Sequence, residues 1–262
     1  MTDWLALCRA AVEDVRGVLA ELPGRSDREA VVGSGKGGDD TTAIDAAAER
    51  VILARFEGLK GLTIVSEEAG VIGDGETFVV IDPIDGSLNA KRGIGFFALS
   101  IAVSSGPTMG DVDFGFVHDF GTGEEWTAAR GEGTWLNGES LDGQLPKDEI
   151  EILSFEATRT AAVAEQAAAV VDLAYRLRIM GSLALSLCHL AAGRVDAVCS
   201  LKPARAVDIA AAQLLVRERG LAIDLFDAPP FGSAPLDLEG RSRVVAAGTP
   251  ELCRKLASAL SA

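Results

Sequence analysis

The chain has 262 residues and carries 39 acidic against 24 basic side chains, a formal net charge of -15 at pH 7. This length suits one enzyme-sized body of two packed sub-regions and excludes a peptide module or small scaffold. The negative field repels phosphate backbones and anionic lipid headgroups, so nucleic acid and membrane surfaces are poor partners. Hydrophobic residues make up 48% of the chain, enough for a full core and too many for a disordered acidic protein.

The beginning of the chain and its cysteines indicate a cytoplasmic protein. Acids and arginines stand in the first segment, MTDWLALCRAAVEDVRG, where a signal peptide would need an apolar core. The cysteines show no CxxC spacing and lie mostly within apolar runs, which disfavours a disulfide framework or a zinc site. We expect them to be buried, reduced thiols; they are Cys8, Cys188, Cys199 and Cys253.

Apolar spacing in the first half of the chain predicts two helices and a set of strands. The helices begin at Thr2 or Asp3 and at Thr41, and end near Leu22 and Phe56. Between them, the glycine-rich segment 31–38 is expected to be a flexible loop. The later runs, separated by glycine-rich turns, are typical of an antiparallel meander. The predicted strands are 62–65, 78–81, 95–103, 112–117, 125–129 and 133–136.

After the polar stretch 138–149, strands and helices alternate, which predicts a layered α/β second half. The predicted strands are 150–154, 176–180, 195–199, 221–226 and 243–247. The predicted helices are 160–174, 182–192, 206–219 and 250–260. The change of pattern predicts an N-terminal α+β subdomain, 1–145, and a C-terminal α/β subdomain, 146–262.

Acidic residues in four groups are the main functional candidates. They are Asp39, Asp40 and Asp45; Glu67 and Glu68; Asp82 and Asp85; and Asp208. Asp82 follows the apolar run FVVI, at the carboxyl end of a predicted strand, where α/β enzymes place ligands. Any one of these acids alone is about as often a solvated turn or cap residue. Three of the groups lie where an apolar element meets a loop, and four separate groups are hard to place by accident, so we favour a shared site.

The residues after Asp82 favour a site for cations and phosphate. Asp85 is followed by Gly86 and Ser87, which open a helical turn whose free N–H groups can receive an oxyanion. The carbonyl of Ile84, between the two acids, is expected to face the same cation. Carboxylates without histidine or cysteine ligands suit Mg²⁺ or Mn²⁺ better than zinc.

Six motifs together resemble the inositol monophosphatase family of metal-dependent phosphatases, in particular its archaeal-type members that also act on fructose 1,6-bisphosphate. The motifs cover nearly the whole chain, and the DPIDGS motif is the most specific of them. They are Asp39-x-x-Thr42-x-x-Asp45, Ser66-Glu67-Glu68, Asp82-Pro83-Ile84-Asp85-Gly86-Ser87-Leu88-Asn89, Gly131-x-Gly133 with Asn137-Gly138, Arg178-x-x-Gly181-Ser182, and Val207-Asp208-Ile209-Ala210-Ala211. The resemblance implies a layered α-β-α-β-α sandwich with an antiparallel sheet in the N-terminal half.

The resemblance also implies two or three Mg²⁺ ions, or Mn²⁺ in their place, and a role for each site residue. One ion would be held by Glu67, Asp82 and the Ile84 carbonyl, and another by Asp82, Asp85 and Asp208. Asp45 and Ser87 would orient the attacking water, with Glu67 as the third catalytic residue. The family more often has threonine at the position of Ser87.

Two cations near Asp208 bear on the substrate. Inositol-specific members place an acid where this chain has Leu201, followed here by Lys202 and Arg205. These cations, with Gly86 and Ser87, are expected to bind substrate, which favours a bisphosphate sugar without excluding inositol 1-phosphate. Ordinary surface charges on a solvated loop are the alternative for the two cations.

The predicted enzyme is a phosphatase that forms a homodimer and has no nucleic-acid or membrane partner. Its predicted substrates are fructose 1,6-bisphosphate, myo-inositol 1-phosphate or both. The alternatives are a 3'-phosphoadenosine 5'-phosphate phosphatase on the same fold and a non-catalytic relative that binds metal.

Overall fold

The computed structural model describes residues 2–36, 38, 40–147, 149–156, 159–226 and 230–261. The helices are α1 Trp4–Glu21, α2 Arg25–Arg28, α3 Ala43–Ala54, α4 Ser87–Arg92, α5 Thr160–Gln166, α6 Leu183–Ala191, α7 Ala206–Glu218 and α8 Pro250–Ser261. The strands are β1 Val31–Ser34, β2 Asp40–Thr42, β3 Leu62–Ser66, β4 Gly70–Gly73, β5 Thr77–Asp85, β6 Ala98–Ser104, β7 Val112–Asp119, β8 Glu125–Ala129, β9 Gly133–Leu136, β10 Glu139–Ser140, β11 Ile150–Glu156, β12 Ala174–Arg178, β13 Ala197–Ser200, β14 Ala222–Leu225 and β15 Val244–Ala247.

Two large sheets form the frame. The first has the order β10-β9-β8-β7-β6-β5-β3-β4, with every pair antiparallel except β3 and β5. The second has the order β12-β11-β13-β15-β14, with β11 parallel to both of its neighbours. Strands β1 and β2 form a separate hairpin.

The apolar residues divide into three cores that define five layers. Along β5, Val79 and Ile81 pack against α1 and α3, whereas Val80 packs on the opposite side with α6 and α7. Because side chains alternate between the faces of a strand, this sheet is covered on both sides. Helices α6 and α7 also pack against the second sheet, whose outer face carries α5 and α8. The predicted α-β-α-β-α sandwich is therefore confirmed; the subdomain boundary at residue 145 stays a prediction.

Most predicted elements are present, with boundaries that differ by a few residues. The segment 31–38 was wrongly expected to be a loop throughout, since Val31–Ser34 pairs with Asp40–Thr42 through backbone hydrogen bonds. The predicted helix 160–174 ends at Gln166 and continues as a 3-10 turn. None of the residues of α5 is fully buried, so little packing is available to hold further helical turns. All four cysteines are buried and free, as expected.

Helix α7 approaches the first sheet very closely at Gly115 of β7. A Cβ atom added to Gly115 would lie 2.5 Å from the backbone oxygen of Ala211 in α7. Glycine therefore allows the helix to lie directly on the strand. The position of α7 matters because it carries Asp208.

We expect Gly115→Ala to reduce the free energy of unfolding by about 1–3 kcal/mol, because the new methyl group would force the helix away from the sheet. The measurement is thermal or urea unfolding followed by circular dichroism. Gly17→Ala in α1 is the matched control, since no atom lies within 4 Å of its added Cβ. The control should be neutral or stabilising by up to about 1 kcal/mol. Equal stability of the two variants would contradict the close packing of α7.

Candidate active site

A cavity of about 300 Å³ opens where α4, α6 and α7 begin. It brings together the residues predicted for the site, which are Asp45, Glu67, Asp82, Ile84, Asp85, Gly86, Ser87, Lys202, Arg205 and Asp208. Asp40 and Glu68 also line it, whereas Asp39 lies outside the described residues. A cavity of this size accommodates a small-molecule ligand.

A β-bulge at Pro83 places Asp82 and Asp85 on one face of the sheet. Three residues apart, they would face opposite sides of a regular strand. In the structure Asp82 pairs with Ser100 and Asp85 with Ala98, so β5 has one residue more than β6 between these pairs. The extra residue brings both carboxylates to the side of α6 and α7. The sequence prediction ended this strand at residue 81, and the bulge was missed.

Glu67 reaches the same place from the neighbouring strand. Because β3 and β5 are parallel and Ser66 pairs with Ile81, Glu67, directly after β3, lies beside Asp82 of β5. The turn that carries Glu67 is held by Glu49 of α3, which is buried. Its carboxylate accepts hydrogen bonds from the Ser66 hydroxyl at 2.5 Å and from the N–H of Glu68 at 3.1 Å.

Asp85 and Asp208 are each placed by the first turn of a helix. Asp85 accepts hydrogen bonds from the Ser182 hydroxyl at 2.5 Å and the Ala184 N–H at 2.7 Å, at the start of α6. Asp208 lies in the first turn of α7 and accepts from the Arg205 N–H at 2.6 Å. The positive end of each helix dipole stabilises these carboxylates. Ser182 belongs to the Arg178-x-x-Gly181-Ser182 motif, so the structure brings this motif into contact with the site.

The buried carboxylates raise one another's pKa values. Burial, followed by repulsion from Glu67 and Asp85, raises the pKa of Asp82 well above its usual value. Burial also raises the pKa of Glu67 to about 7, although the charge of Arg205 opposes this. Burial likewise raises the pKa of Asp85 to about 7, although the hydrogen bond from Ser182 opposes this rise. A cation among these groups would relieve both the burial cost and the repulsion.

Arg205 is buried against the carboxylates, with a relative exposure of 6%. Its Nη2 atom donates to Glu67 and lies 3.3 Å from Asp208 Oδ1. The alternative in which Arg205 is a solvated surface charge is therefore wrong. Lys202 is exposed at the rim of the same cavity.

Ser87 and Asp45 form a hydrogen-bonded pair beside the acids. The Ser87 hydroxyl donates to Asp45 Oδ1 at 2.6 Å and lies 3.0 Å from the Ile84 carbonyl oxygen. The other Asp45 oxygen accepts from the Thr42 hydroxyl at 2.5 Å and lies 3.1 Å from Lys91 Nζ. Asp45 is thus fixed by three partners. Thr42 is the N-cap residue of α3, as its position before the helix predicts.

Sequence reasoning missed Lys91, Glu49 and Glu156. Lys91 could have been found, because it follows Ser87 by four residues and therefore shares its face of α4. Glu156, at the end of β11, accepts hydrogen bonds from Gly181 N–H and from the Ser154 and Ser186 hydroxyls, each at 2.8 Å. Glu49 and Glu156 could not be found from a sequence pattern, because they contact residues near the site that lie 17 and 25 positions away in the chain, Ser66 and Gly181 respectively.

The donor set fits a hard divalent cation. Four carboxyl groups and a backbone carbonyl supply oxygen ligands alone, which suits Mg²⁺ or Mn²⁺. Burial, and after it repulsion between neighbouring carboxylates, raises the pKa values of Glu67, Asp82 and Asp85, and a divalent cation would oppose both effects. Within the described part of the chain, no three His, Cys, Asp or Glu side chains are arranged to enclose an ion. At one side of the acids, the guanidinium of Arg205 contacts two of them.

Comparison with known proteins assigns the chain to a family. The sequence profile of the inositol monophosphatase family matches residues 4–262. The chain belongs to the inositol monophosphatase family. The fructose-1,6-bisphosphatase/inositol-1-monophosphatase of Archaeoglobus fulgidus is 33% identical over 248 residues, which cover 94% of this chain and 93% of that protein. Nus factor SuhB of Escherichia coli is 38% identical over 205 residues, 73% of this chain and 74% of its own.

A solved structure supports the same assignment to the inositol monophosphatase family. The crystal structure of an inositol monophosphatase-fructose 1,6 bisphosphatase has a TM-score of 0.85 at 30% identity and covers 99% of this chain and 100% of that chain. The predictions of the family, the fold and a phosphoric monoester hydrolase are thereby confirmed. Among the described residues, no helix has the length and apolar content needed to cross a bilayer.

Proposed function

We propose that this inositol monophosphatase family member is a Mg²⁺-dependent phosphatase whose substrates are fructose 1,6-bisphosphate, myo-inositol 1-phosphate or both. One observation carries the proposal: the acids Glu67, Asp82, Asp85 and Asp208 line a single cavity together with the Ser87–Asp45 pair. Phosphomonoester hydrolysis needs positive charge at the phosphate and an oriented water, and this arrangement serves both.

The proposed ligands of one Mg²⁺ are Glu67, Asp82 and the Ile84 carbonyl, and those of a second are Asp82, Asp85 and Asp208. When bound, the ions would lower the pKa of a bound water and neutralise charge on the leaving oxygen. Two ions are proposed, with a third allowed by the additional acids at the rim. Mn²⁺ has the same oxygen preference and is expected to substitute.

Ser87 and Asp45 are proposed to orient the attacking water. The Ser87 hydroxyl donates its hydrogen bond to Asp45, which leaves an Oγ lone pair to accept a hydrogen bond from water. The water oxygen forms a bond to phosphorus while the ester oxygen leaves and takes up a proton, so that one alcohol and one phosphate are produced. Lys91 Nζ lies 3.1 Å from the other Asp45 oxygen and holds this carboxylate in place from that side.

The cavity lining favours a sugar over a nucleotide. The described lining residues include no aromatic side chain on which an adenine could stack. Lys202 at the rim is proposed to bind the remote phosphate of a bisphosphate. The name of the Archaeoglobus fulgidus relative, which includes both a fructose bisphosphate and an inositol phosphate activity, supports these substrates.

The proposal also covers the location and the oligomeric state of the enzyme. We propose a cytoplasmic homodimer that acts on small phosphate esters, with Gly86 and Ser87 at the phosphate. The buried free cysteines suit a reducing compartment. We also propose that the chain is divided into an N-terminal subdomain, 1–145, and a C-terminal subdomain, 146–262.

The proposal is tested by measuring phosphate release with Mg²⁺ from fructose 1,6-bisphosphate, inositol 1-phosphate and 3'-phosphoadenosine 5'-phosphate. We expect the first two to be hydrolysed, and Asp82→Asn to abolish both activities because an amide cannot replace a carboxylate that contacts two ions. Asp113→Asn is the matched control, since Asp113 lies on the same sheet outside the cavity and pairs with Arg130 at half-exposed positions. Near-normal turnover of Asp82→Asn, or hydrolysis of the nucleotide alone, would contradict the proposal.

The water-orienting role predicts that Ser87→Ala lowers kcat by roughly a hundredfold or more, because the attacking water loses its hydrogen-bonding partner. Ser87→Thr, which keeps the hydroxyl, should retain most of the activity. The Mg²⁺ concentration for half-maximal rate should change little in either variant. A large loss of metal affinity in Ser87→Ala would instead make Ser87 part of the metal centre.

The role of Lys202 predicts a loss confined to the bisphosphate. We expect Lys202→Ala to lower kcat/KM for fructose 1,6-bisphosphate by roughly tenfold, the effect of losing one charge-assisted hydrogen bond. Hydrolysis of inositol 1-phosphate should change little. Lys60→Ala, which removes an exposed lysine outside the cavity lining, controls for the general field of the protein. An equal fall for both substrates would assign Lys202 to the reacting phosphate or to the fold.

A further inference from the structure

The guanidinium of Arg205 contacts two of the acids that are proposed to bind metal. Arg205 is the N-cap residue of α7, so its backbone is fixed by the start of the helix. From there its Nη2 atom donates to Glu67 and approaches Asp208 Oδ1 at 3.3 Å. The two acceptors are 141 positions apart in the chain: Glu67 directly follows β3, and Asp208 lies on α7. One arginine therefore joins the two sides of the cavity.

The surroundings of Arg205 favour a permanent positive charge. Burial alone would lower its pKa, but the charges of Asp208 and Glu67 and then of Asp82 raise the pKa well above its usual value. In return, the positive charge of Arg205 lowers the pKa values of Glu67 and Asp82 against the effect of burial. The side chain of Arg205 therefore places a positive charge inside the cavity, next to the acids.

We propose that Arg205 is a tethered counter-ion that stabilises the metal-free site and competes with the metal ion for Glu67 and Asp208. This inference rests on the proposed function, because it requires that these acids bind Mg²⁺. The competition follows from the contacts: the guanidinium already contacts one oxygen of Glu67 and one of Asp208, and both carboxylates are proposed metal ligands. Metal loading at this end of the site is then an exchange of one cation for another.

The exchange has a consequence that distinguishes it from a structural role. A residue that only caps α7 would stabilise the protein equally with and without metal. A tethered counter-ion stabilises the metal-free protein and weakens metal binding. Arg205 thereby sets the metal concentration above which the site fills.

Binding of Mn²⁺ alone, followed by electron paramagnetic resonance of the free ion, tests the proposal without reference to catalysis. Arg205→Gln should bind Mn²⁺ at least about tenfold more tightly than the parent, because a unit charge at contact distance in a partly buried site changes an equilibrium constant by more than this factor. Arg205→Lys, which keeps the charge, and Lys60→Ala, which removes an exposed charge outside the cavity lining, should each stay within about threefold of the parent.

Thermal unfolding with and without Mg²⁺ completes the test. In a chelator, Arg205→Gln should melt several degrees below the parent, and saturating Mg²⁺ should remove this deficit. A variant that is unfolded in the chelator and folded with Mg²⁺ would support the proposal equally. Unchanged or weaker Mn²⁺ affinity, the same deficit in both conditions, or a variant unfolded in both would overturn it.

The Mn²⁺ measurements distinguish failure of the proposed function from failure of the proposed role of Arg205. If neither the parent nor any variant binds Mn²⁺, the metal centre itself is wrong. If the parent and Arg205→Gln bind Mn²⁺ equally, the metal centre stands and only the counter-ion role of Arg205 is lost.

Discussion

Four carboxyl groups in one buried cavity repel one another, and much of the surrounding structure serves to keep them there. Asp82 is 1% exposed and Asp85 is 8% exposed, so neither is well hydrated. Buried like charges are destabilising unless hydrogen bonds, helix dipoles or cations compensate. The protein uses all three kinds of compensation. The Ser182 hydroxyl and the Ala184 N–H bind Asp85, the first turn of α7 holds Asp208, and the guanidinium of Arg205 contacts Glu67.

The layered fold makes this compensation possible. Two helices, α6 and α7, lie between the sheets and begin at the cavity, so their positive ends converge on the acids. The first sheet contributes Asp82 and Asp85 from its interior strand β5, and Glu67 directly follows the neighbouring strand β3. The second sheet contributes Glu156, which binds the N–H of Gly181 before α6. The cavity therefore depends on every layer except the outermost helices of the second sheet.

Sequence reasoning identified the acids but not how they are brought together. Strand ends and apolar periodicity are local properties, so β3, β7, β8 and the helices α1, α6 and α7 could be predicted closely. The family resemblance added the roles of Asp45 and Ser87, which spacing alone could not show. The bulge at Pro83 could not be found from periodicity, because it is defined by pairing with β6. The burial of Arg205 and the contact of Lys91 with Asp45 likewise depend on tertiary packing.

The hydrogen bonds of Asp85 also set an order of assembly. Asp85 and its partner Ser182 are 97 positions apart, and Asp208 lies still further along the chain. Because the N-terminal half of the chain leaves the ribosome first, Glu67, Asp82 and Asp85 have been synthesised before α6 and α7. During that interval the first sheet lacks the helices that cover one of its faces. Completion of the cavity thus requires that α7, which carries Asp208, has been synthesised and packed.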